Sequence, residues 1–136
     1  MNVDLEPIHL ARNHKVAKLL LDAGADIEAR TSDGNTPLLM AVDPDVLRSW
    51  YGIHNDIDEQ RLVVQLLIDH GADVNAANRR GDTPLHKVQD VVIAKLLIEH
   101  GAHVNALNKS GDTPLDRAHD KKLREILIRS GAKKSR

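Results

Sequence analysis

A short motif recurs four times along the chain and constrains its fold more than any other feature. Prolines in one shared context lie at positions 7, 37, 84 and 114, and Gly-Ala pairs begin at positions 24, 71, 101 and 131. Each glycine precedes the next proline by 13 residues, and each proline precedes its own glycine by 17, except in the second unit, where the interval is 34. Because a fixed period indicates one structural unit stacked repeatedly, the sequence predicts an array of four units, with an insertion in the second.

Each unit is predicted to contain two short helices followed by a turn. In three units a threonine immediately precedes the proline, which is typical of an N-cap followed by proline at the first helical position. Before each Gly-Ala pair, apolar residues recur at i, i+3 and i+4, which predicts one buried face of a second helix. These residues are Val16, Leu19 and Leu20; Val63, Leu66 and Leu67; Ile93, Leu96 and Leu97; and Leu123, Ile126 and Leu127. The glycine ends that helix, and Asn- and Gly-containing segments between units predict tight hairpin-like turns.

The composition excludes several classes of protein. The chain has no cysteine, which rules out disulfides, thiolate zinc sites and thiol catalysis and fits a reducing compartment. Aromatic residues make up only 1% of the chain, so the core depends on Leu, Val, Ile and Ala, which favours stacked helices. A net charge of −1 argues against a general binder of nucleic acid or membranes. The N-terminal residues show no apolar signal region, and no apolar run is long enough to cross a bilayer.

These motifs resemble the ankyrin repeat. The similarity is clearest in the segments Asp-Thr-Pro-Leu-His at 82–86 and Gly-Ala-Asp-Val-Asn-Ala at 71–76, and it extends over about residues 4–132. The resemblance implies an all-α solenoid of stacked helix-turn-helix units with short hairpin-like connecting loops. We expect a single domain over 1–136, with repeats at about 4–30, 31–77, 78–107 and 108–132 and a basic tail at 133–136.

The chain departs from the family pattern at specific positions. Three units are three residues shorter than the usual ankyrin repeat, at the expense of the first helix or the turn after it. Other departures are Glu6 where threonine is expected, Leu39 and Asp116 where histidine is expected, and variant post-glycine segments at 26–28 and 103–105. None of these departures conflicts with the fold.

The insertion at 43–60 contains both aromatic residues of the chain, Trp50 and Tyr51, and carries five acidic residues against one arginine. Its pattern predicts a short helix over 44–51, and the capping-box spacing from Asp56 predicts the start of the next helix. Two interpretations of the aromatic pair stay open. Trp50 either covers its own loop, or Trp50 and Tyr51 anchor a partner, since both residue types are common in interface hot spots.

Eight histidines raise the question of a metal site or a catalytic centre. His9 and His86 occupy the family's Thr-Pro-Leu-His position, which the resemblance assigns to structural hydrogen bonds between neighbouring turns. His70 and His100 fall at the ends of second helices, where the helix dipole favours an imidazole. No zinc-binding, phosphate-binding or nucleophile motif is present. We therefore expect no enzyme activity, no metal and no cofactor.

Ankyrin arrays bind other proteins through their hairpin tips and the concave surface of their inner helices, so the resemblance implies candidate binding residues. The tip positions are Ser32, Asp33 and Asn35; Arg79, Arg80 and Asp82; and Lys109, Ser110 and Asp112. The inner-helix positions facing the groove are Leu10, Met40, Lys87 and Arg117. Leu10 and Met40 stand out because an exposed apolar side chain in a groove has no role in folding. Residues 109–136 hold 9 basic and 4 acidic residues, which fits a solvated terminal cap better than a nucleic-acid site.

The sequence thus predicts a non-enzymatic, cytoplasmic module that binds another protein and is monomeric alone, with no membrane partner and no nucleic-acid partner. We also expect the chain to start and end where the protein does. Two alternatives stay open. The protein could inhibit a partner enzyme or toxin with its acidic insertion, as immunity-type proteins do, or it could self-associate through its weakly capped first repeat.

Overall fold

The computed structural model describes residues 7–10, 13–43 and 57–134, and these residues form two parallel rows of helices. The inner row consists of a 3₁₀ helix (Pro7–Leu10) and the short helices α2 (Pro37–Val42), α4 (Pro84–Lys87) and α6 (Pro114–Arg117). The outer row consists of α1 (His14–Asp22), α3 (Ile57–Asp69), α5 (Val91–Glu99) and α7 (Lys121–Arg129). Each helix packs against the next helix of its own row, which confirms the predicted helical solenoid.

The inner helices begin where the threonine-proline pairs predict. The Thr36 Oγ1 accepts a hydrogen bond from the Leu39 amide at 3.2 Å, and the Thr113 Oγ1 accepts one from the Asp116 amide at 3.3 Å. Proline occupies the first turn of each of these helices, where its missing N–H leaves no hydrogen bond unmade. Helices α4 and α6 have only four residues each, so the shortening of these units falls on the inner helix.

The outer helices bury a narrower face than the i, i+3, i+4 pattern predicts. In α5 and α7 the first and last residues of the pattern are buried, whereas the middle residues, Leu96 and Ile126, are only partly buried because they lie at the edge of the packed face. In α1 the prediction is wrong, since Val16 is 46% exposed and Leu19 is 69% exposed. Among the described residues α1 has an outer-row neighbour, α3, on one side only, so this part of its apolar surface stays uncovered.

The described end of the insertion extends the outer row. Helix α3 begins at Ile57, next to the predicted Asp56 cap, and is one turn longer than α5 or α7. Its added turn contacts α2 and α1. The Gln60 side chain donates to the Ala41 carbonyl of α2 at 2.9 Å, and the His14 amide of α1 donates to the Glu59 carboxylate at 2.8 Å. The hydrogen bond from the His14 amide lowers the pKa of Glu59. Residues 44–56, including the predicted helix over 44–51, lie outside the described residues.

Asparagines after the Gly-Ala pairs connect consecutive repeats. The Asn75 side chain donates to the Gly101 carbonyl at 3.0 Å and accepts from the His103 amide at 2.8 Å. Asn105 makes the same two hydrogen bonds one repeat further on, to Gly131 at 3.0 Å and from Lys133 at 2.7 Å. In the first repeat Glu28 takes this place and accepts from the Asp73 amide at 2.7 Å. The departure at 26–28 therefore preserves one of the two connecting hydrogen bonds.

Candidate protein-binding surface

Three hairpin turns project in a row beside the inner helices, over residues 31–35, 78–82 and 108–112. In each turn the first residue's amide donates to the last residue's carbonyl, at 3.0, 3.1 and 3.0 Å respectively. The side chains of Asn78 and Asn108 support their turns from within, since each Oδ1 accepts two backbone amides of its own turn. The turns are thus closed by local hydrogen bonds, as the Asn- and Gly-containing segments predict.

The tips of neighbouring turns are also joined through their backbones. The Arg79 amide donates to the Asp33 carbonyl at 3.0 Å, and the Lys109 amide donates to the Arg80 carbonyl at 2.9 Å. These two hydrogen bonds hold the three tips at fixed distances from one another. A rigid row of this kind presents its side chains in a preset arrangement, which reduces the entropy lost on binding.

Six of the candidate tip residues have exposed side chains: Ser32, Asp33, Arg79, Arg80, Lys109 and Ser110. Three of the six are cationic and one is acidic, so the row carries a positive excess. Within the described part of the chain, the guanidinium groups of Arg79 and Arg80 make no hydrogen bond and no ion pair. The tips therefore offer charged donors that folding does not use.

The candidates at the base of the turns, Asn35, Asp82 and Asp112, participate in the fold. Asp82 is only 3% exposed, and its carboxylate accepts a hydrogen bond from Asn108 Nδ2 at 2.8 Å, so its predicted place on the exposed surface is wrong. Asn35 Oδ1 accepts from Asn78 Nδ2 at 3.0 Å in the equivalent position. Asp112 is partly buried and accepts a hydrogen bond from His86 on its backbone carbonyl.

The remaining candidates, from the inner row and the insertion, divide into three groups. Lys87 and Arg117 lie near carboxylates, with Lys87 Nζ 3.2 Å from Asp43 and an Arg117 guanidinium nitrogen 3.7 Å from Asp112. Met40 was expected as an exposed apolar residue, but it is only 7% exposed, because the inner row buries it with the rest of α2. The side chain of Leu10, and Trp50 and Tyr51, lie outside the described residues.

The histidines have the structural positions that the sequence predicts. His9 Nε2 lies 2.8 Å from the Ala29 carbonyl, and His86 Nε2 lies 2.9 Å from the Asp112 carbonyl in the next turn. His86 Nδ1 accepts from the Thr83 amide at 3.1 Å, so its Nε2 carries the proton and donates. His70 and His100 directly follow α3 and α5. In the described ranges no three His, Asp or Glu side chains come together as a metal-binding group.

The sequence reasoning missed the role of Arg30. One guanidinium nitrogen of Arg30 donates to the Gly34 carbonyl at 2.9 Å and to the Ala77 carbonyl at 2.7 Å, which joins the first hairpin to the segment leading into the second. No repeated position signals this contact, because the equivalent residues, Ala77 and Leu107, cannot donate from their side chains. Arg30 therefore adds to the rigidity of the row at its N-terminal end only.

Comparison with known families agrees with this architecture. A family model described as ankyrin repeats (3 copies) matches residues 53–136, and the model of a single ankyrin repeat matches residues 6–32. The chain belongs to the ankyrin repeat family, since the first match alone covers more than half of it. A search of curated proteins finds no match.

The family sets the general class of function. Ankyrin repeats are in general protein–protein interaction modules, and proteins built from them are typically non-enzymatic. No helix in the part of the chain that the structure describes is long and apolar enough to cross a membrane.

Proposed function

We propose that this protein is a non-enzymatic module that binds another protein through its hairpin tips and the adjoining face of its inner helices. The observation that supports this function best is the contrast between backbone and side chains along the tips. The backbones of Asp33, Arg79, Arg80 and Lys109 are hydrogen-bonded from one turn to the next, whereas the side chains of the two arginines are exposed and unpaired within the described residues.

The chemistry of the tips favours recognition over catalysis. Arginine combines a fixed fork of donors with a planar face and is one of the residues enriched in interface hot spots. Neither Arg79 nor Arg80 has a general base or nucleophile hydrogen-bonded to it in the described part of the chain. We therefore assign them to contacts with a partner surface.

The first prediction tests this function by removing two cationic tips. The double variant Arg79→Ala/Arg80→Ala is expected to weaken partner binding about tenfold or more, because each arginine contributes charged contacts to the interface. Its circular dichroism and melting temperature should stay close to those of the unmodified protein, since neither side chain supports the fold. The measurement is capture of the partner from the native lysate, identification by mass spectrometry, and titration with purified partner.

A matched control is available in α7. The double variant Lys121→Ala/Lys122→Ala removes the same charge from exposed residues far along the array from the tips of the second turn. It should bind the partner as tightly as the unmodified protein. If the tip variant binds the partner as tightly as the unmodified protein, or if both variants lose the same affinity, the interface lies elsewhere.

The same capture experiment separates the two alternatives that the sequence raises. A basic nuclease-like partner retained by the tip variant would favour an inhibitor acting through the acidic insertion. Recovery of the chain alone, with a doubled mass in light scattering, would favour self-association.

A further inference from the structure

A recess of about 230 Å³ opens between the first and second hairpin turns. Its lining consists of Asp33, Asn35, Asn78, Arg79, Arg80 and Lys87. Three of these six side chains are cationic, two are amides and only one is a carboxylate. The recess is therefore a positively charged pocket within the proposed binding surface.

The charges of the recess are only partly balanced by the fold. Lys87 forms an ion pair with Asp43, with 3.2 Å between the amine and the carboxylate. Arg79 and Arg80 have no such partner among the described residues, and the single carboxylate in the lining, Asp33, belongs to an exposed tip. One positive charge is left over once Lys87 is paired with Asp43 and Asp33 is set against one arginine.

Comparison with the other hairpins shows that the first turn is unusual at the base of this recess. Asn35 occupies the position that Asp82 and Asp112 occupy in the second and third turns. Asn35 and Asp82 accept the same hydrogen bond from the following turn. Asn78 Nδ2 donates to Asn35 Oδ1 at 3.0 Å, and Asn108 Nδ2 donates to Asp82 Oδ1 at 2.8 Å. The first turn thus has an amide where the second and third turns have a carboxylate, and this amide lines the recess together with Arg79 and Arg80.

The hydrogen bonding also determines which way the Asn35 amide faces. Asn78 Oδ1 accepts two backbone amides, from Arg80 and Asp82, so Asn78 must present its Nδ2 to Asn35. Asn35 accepts this hydrogen bond with its Oδ1. Its own Nδ2 then has no acceptor among the described residues, and it adds a neutral donor to the two guanidinium groups in the lining.

We infer that this recess binds a carboxylate side chain, and that the partner presents an acidic segment, rich in Asp or Glu, to the first two hairpin tips. This inference rests on the proposed protein-binding function and specifies the chemistry of its partner. A guanidinium group matches a carboxylate with two parallel hydrogen bonds. The exposed Asp33 and the lack of any aromatic side chain in the lining disfavour a phosphate-rich nucleic acid, which needs denser positive charge and stacking platforms.

The second prediction tests the recess with the substitution Asn35→Asp in the full chain. The new carboxylate can still accept from Asn78 Nδ2, as Asp82 does from Asn108, so the fold and the melting temperature should be retained. The substitution removes the free donor and adds a negative charge. We expect it to weaken binding of an acidic peptide about tenfold at low salt.

The probe is a fluorescein-labelled peptide of eight glutamates, titrated by anisotropy against the protein at low ionic strength, with a Gly-Ser peptide of equal length as the negative control. Lys109→Ala removes one positive charge from the third tip, outside the recess lining, and should weaken binding less than Asn35→Asp does. Arg80→Gln is the second variant, because it removes a charge without altering a side-chain contact within the described residues, and it carries the test alone if Asn35→Asp lowers the melting temperature.

Unchanged peptide affinity in both Asn35→Asp and Arg80→Gln would overturn the inference. Tighter binding of a uridine oligonucleotide than of the acidic peptide at the same residues would also overturn it. The same holds if an NMR titration with the acidic peptide shows chemical-shift changes confined to α7. The two proposals fail separately. A natural partner that is lost from Arg79→Ala/Arg80→Ala but binds Asn35→Asp with full affinity would leave the protein-binding function standing and remove the acidic-segment inference.

Discussion

At the scale of single residues, the hairpin glycines show how closely the turns are stacked. Gly81 and Gly111 have nearly the same backbone conformation, with φ of +79° and +80°, which side chains other than glycine rarely adopt. Their surroundings differ. A Cβ added at Gly81 would lie 2.9 Å from the Lys109 amide nitrogen, whereas one added at Gly111 would have no neighbour within 4 Å among the described residues.

The third prediction compares Gly81→Ala with Gly111→Ala. Both variants pay the backbone strain of a positive φ, roughly 1–2 kcal/mol. Gly81→Ala must also push the third turn away and weaken the hydrogen bond between the Lys109 amide and the Arg80 carbonyl, so it should lower the free energy of unfolding further. Urea denaturation of the two variants measures the difference, and equal losses would show that the turns are not in close contact.

At the scale of helices, a partly buried ion pair joins α3 to α5. Arg61 donates two hydrogen bonds to Asp90, at 2.9 and 2.8 Å, and Asp90 also caps α5 by accepting from the Ile93 amide at 3.1 Å. Burial raises the pKa of Asp90, but the hydrogen bonds from Arg61 and from the helix amides outweigh it, so the pKa of Asp90 is lowered. The carboxylate therefore stabilises the fold in its charged form.

The fourth prediction follows from the sign of that shift. Because the pKa of Asp90 is lower in the folded state, its contribution is present above the unfolded-state pKa of about 3.9 and is lost as the pH falls through the folded-state value. Asp90→Asn keeps a helix-capping side chain but loses the charged pair with Arg61, so it should lower the melting temperature at pH 7 and have a diminishing effect below about pH 4.

The matched control for Asp90 is Asp120, which caps α7 by accepting from the Leu123 amide at 3.1 Å and has no arginine partner within the described residues. Asp120→Asn should change the melting temperature much less at pH 7, since asparagine caps a helix about as well as aspartate. A similar loss in both variants would mean that the link between α3 and α5 contributes little.

At the scale of the whole molecule, stability depends on contacts between neighbouring repeats, because each unit is too small to bury its own apolar face. Leu97 in α5 and Leu127 in α7 occupy the same repeat position and are both 0% exposed. Helix α5 packs against both α3 and α7, whereas α7 has α5 as its outer-row neighbour and none beyond it in the described array. Leu97 therefore lies in a helix with outer-row neighbours on both sides, whereas Leu127 lies in a helix with one such neighbour among the described residues.

The fifth prediction compares these two leucines. Leu97→Ala is expected to cost about 2–5 kcal/mol and to destabilise the array as a unit, because it leaves a cavity in an internal repeat. Leu127→Ala should instead cause the last repeat to open before the others. Hydrogen exchange distinguishes the outcomes, with loss of protection spread over α3, α5 and α7 in the first variant and confined to α6 and α7 in the second. Identical exchange patterns would contradict a stack of nearest-neighbour contacts.

Much of the local structure could be predicted from the sequence because its determinants lie within a few residues of one another. Thr36 and Thr113 begin their helices by bonding to amides three residues ahead, and Ile57 begins α3 next to the predicted cap. The periodic spacing of the motifs also predicted the number and order of the repeats. The structural roles of His9 and His86 followed from the family resemblance.

Which side chains are exposed depends on the tertiary structure and does not follow from the sequence pattern. Periodicity assigns a residue to a helix face, but burial depends on how closely the next repeat approaches, and that is why Met40 is buried and Leu66 is only partly so. Asp82 and Asn35 occupy equivalent positions in the sequence. Asp82 is buried against Asn108, 26 residues away, whereas Asn35 bonds to Asn78, 43 residues away, and lines a recess with two arginines that have no partner among the described residues. Stacking of the repeats makes these contacts, because it joins parts of the chain that no local pattern connects.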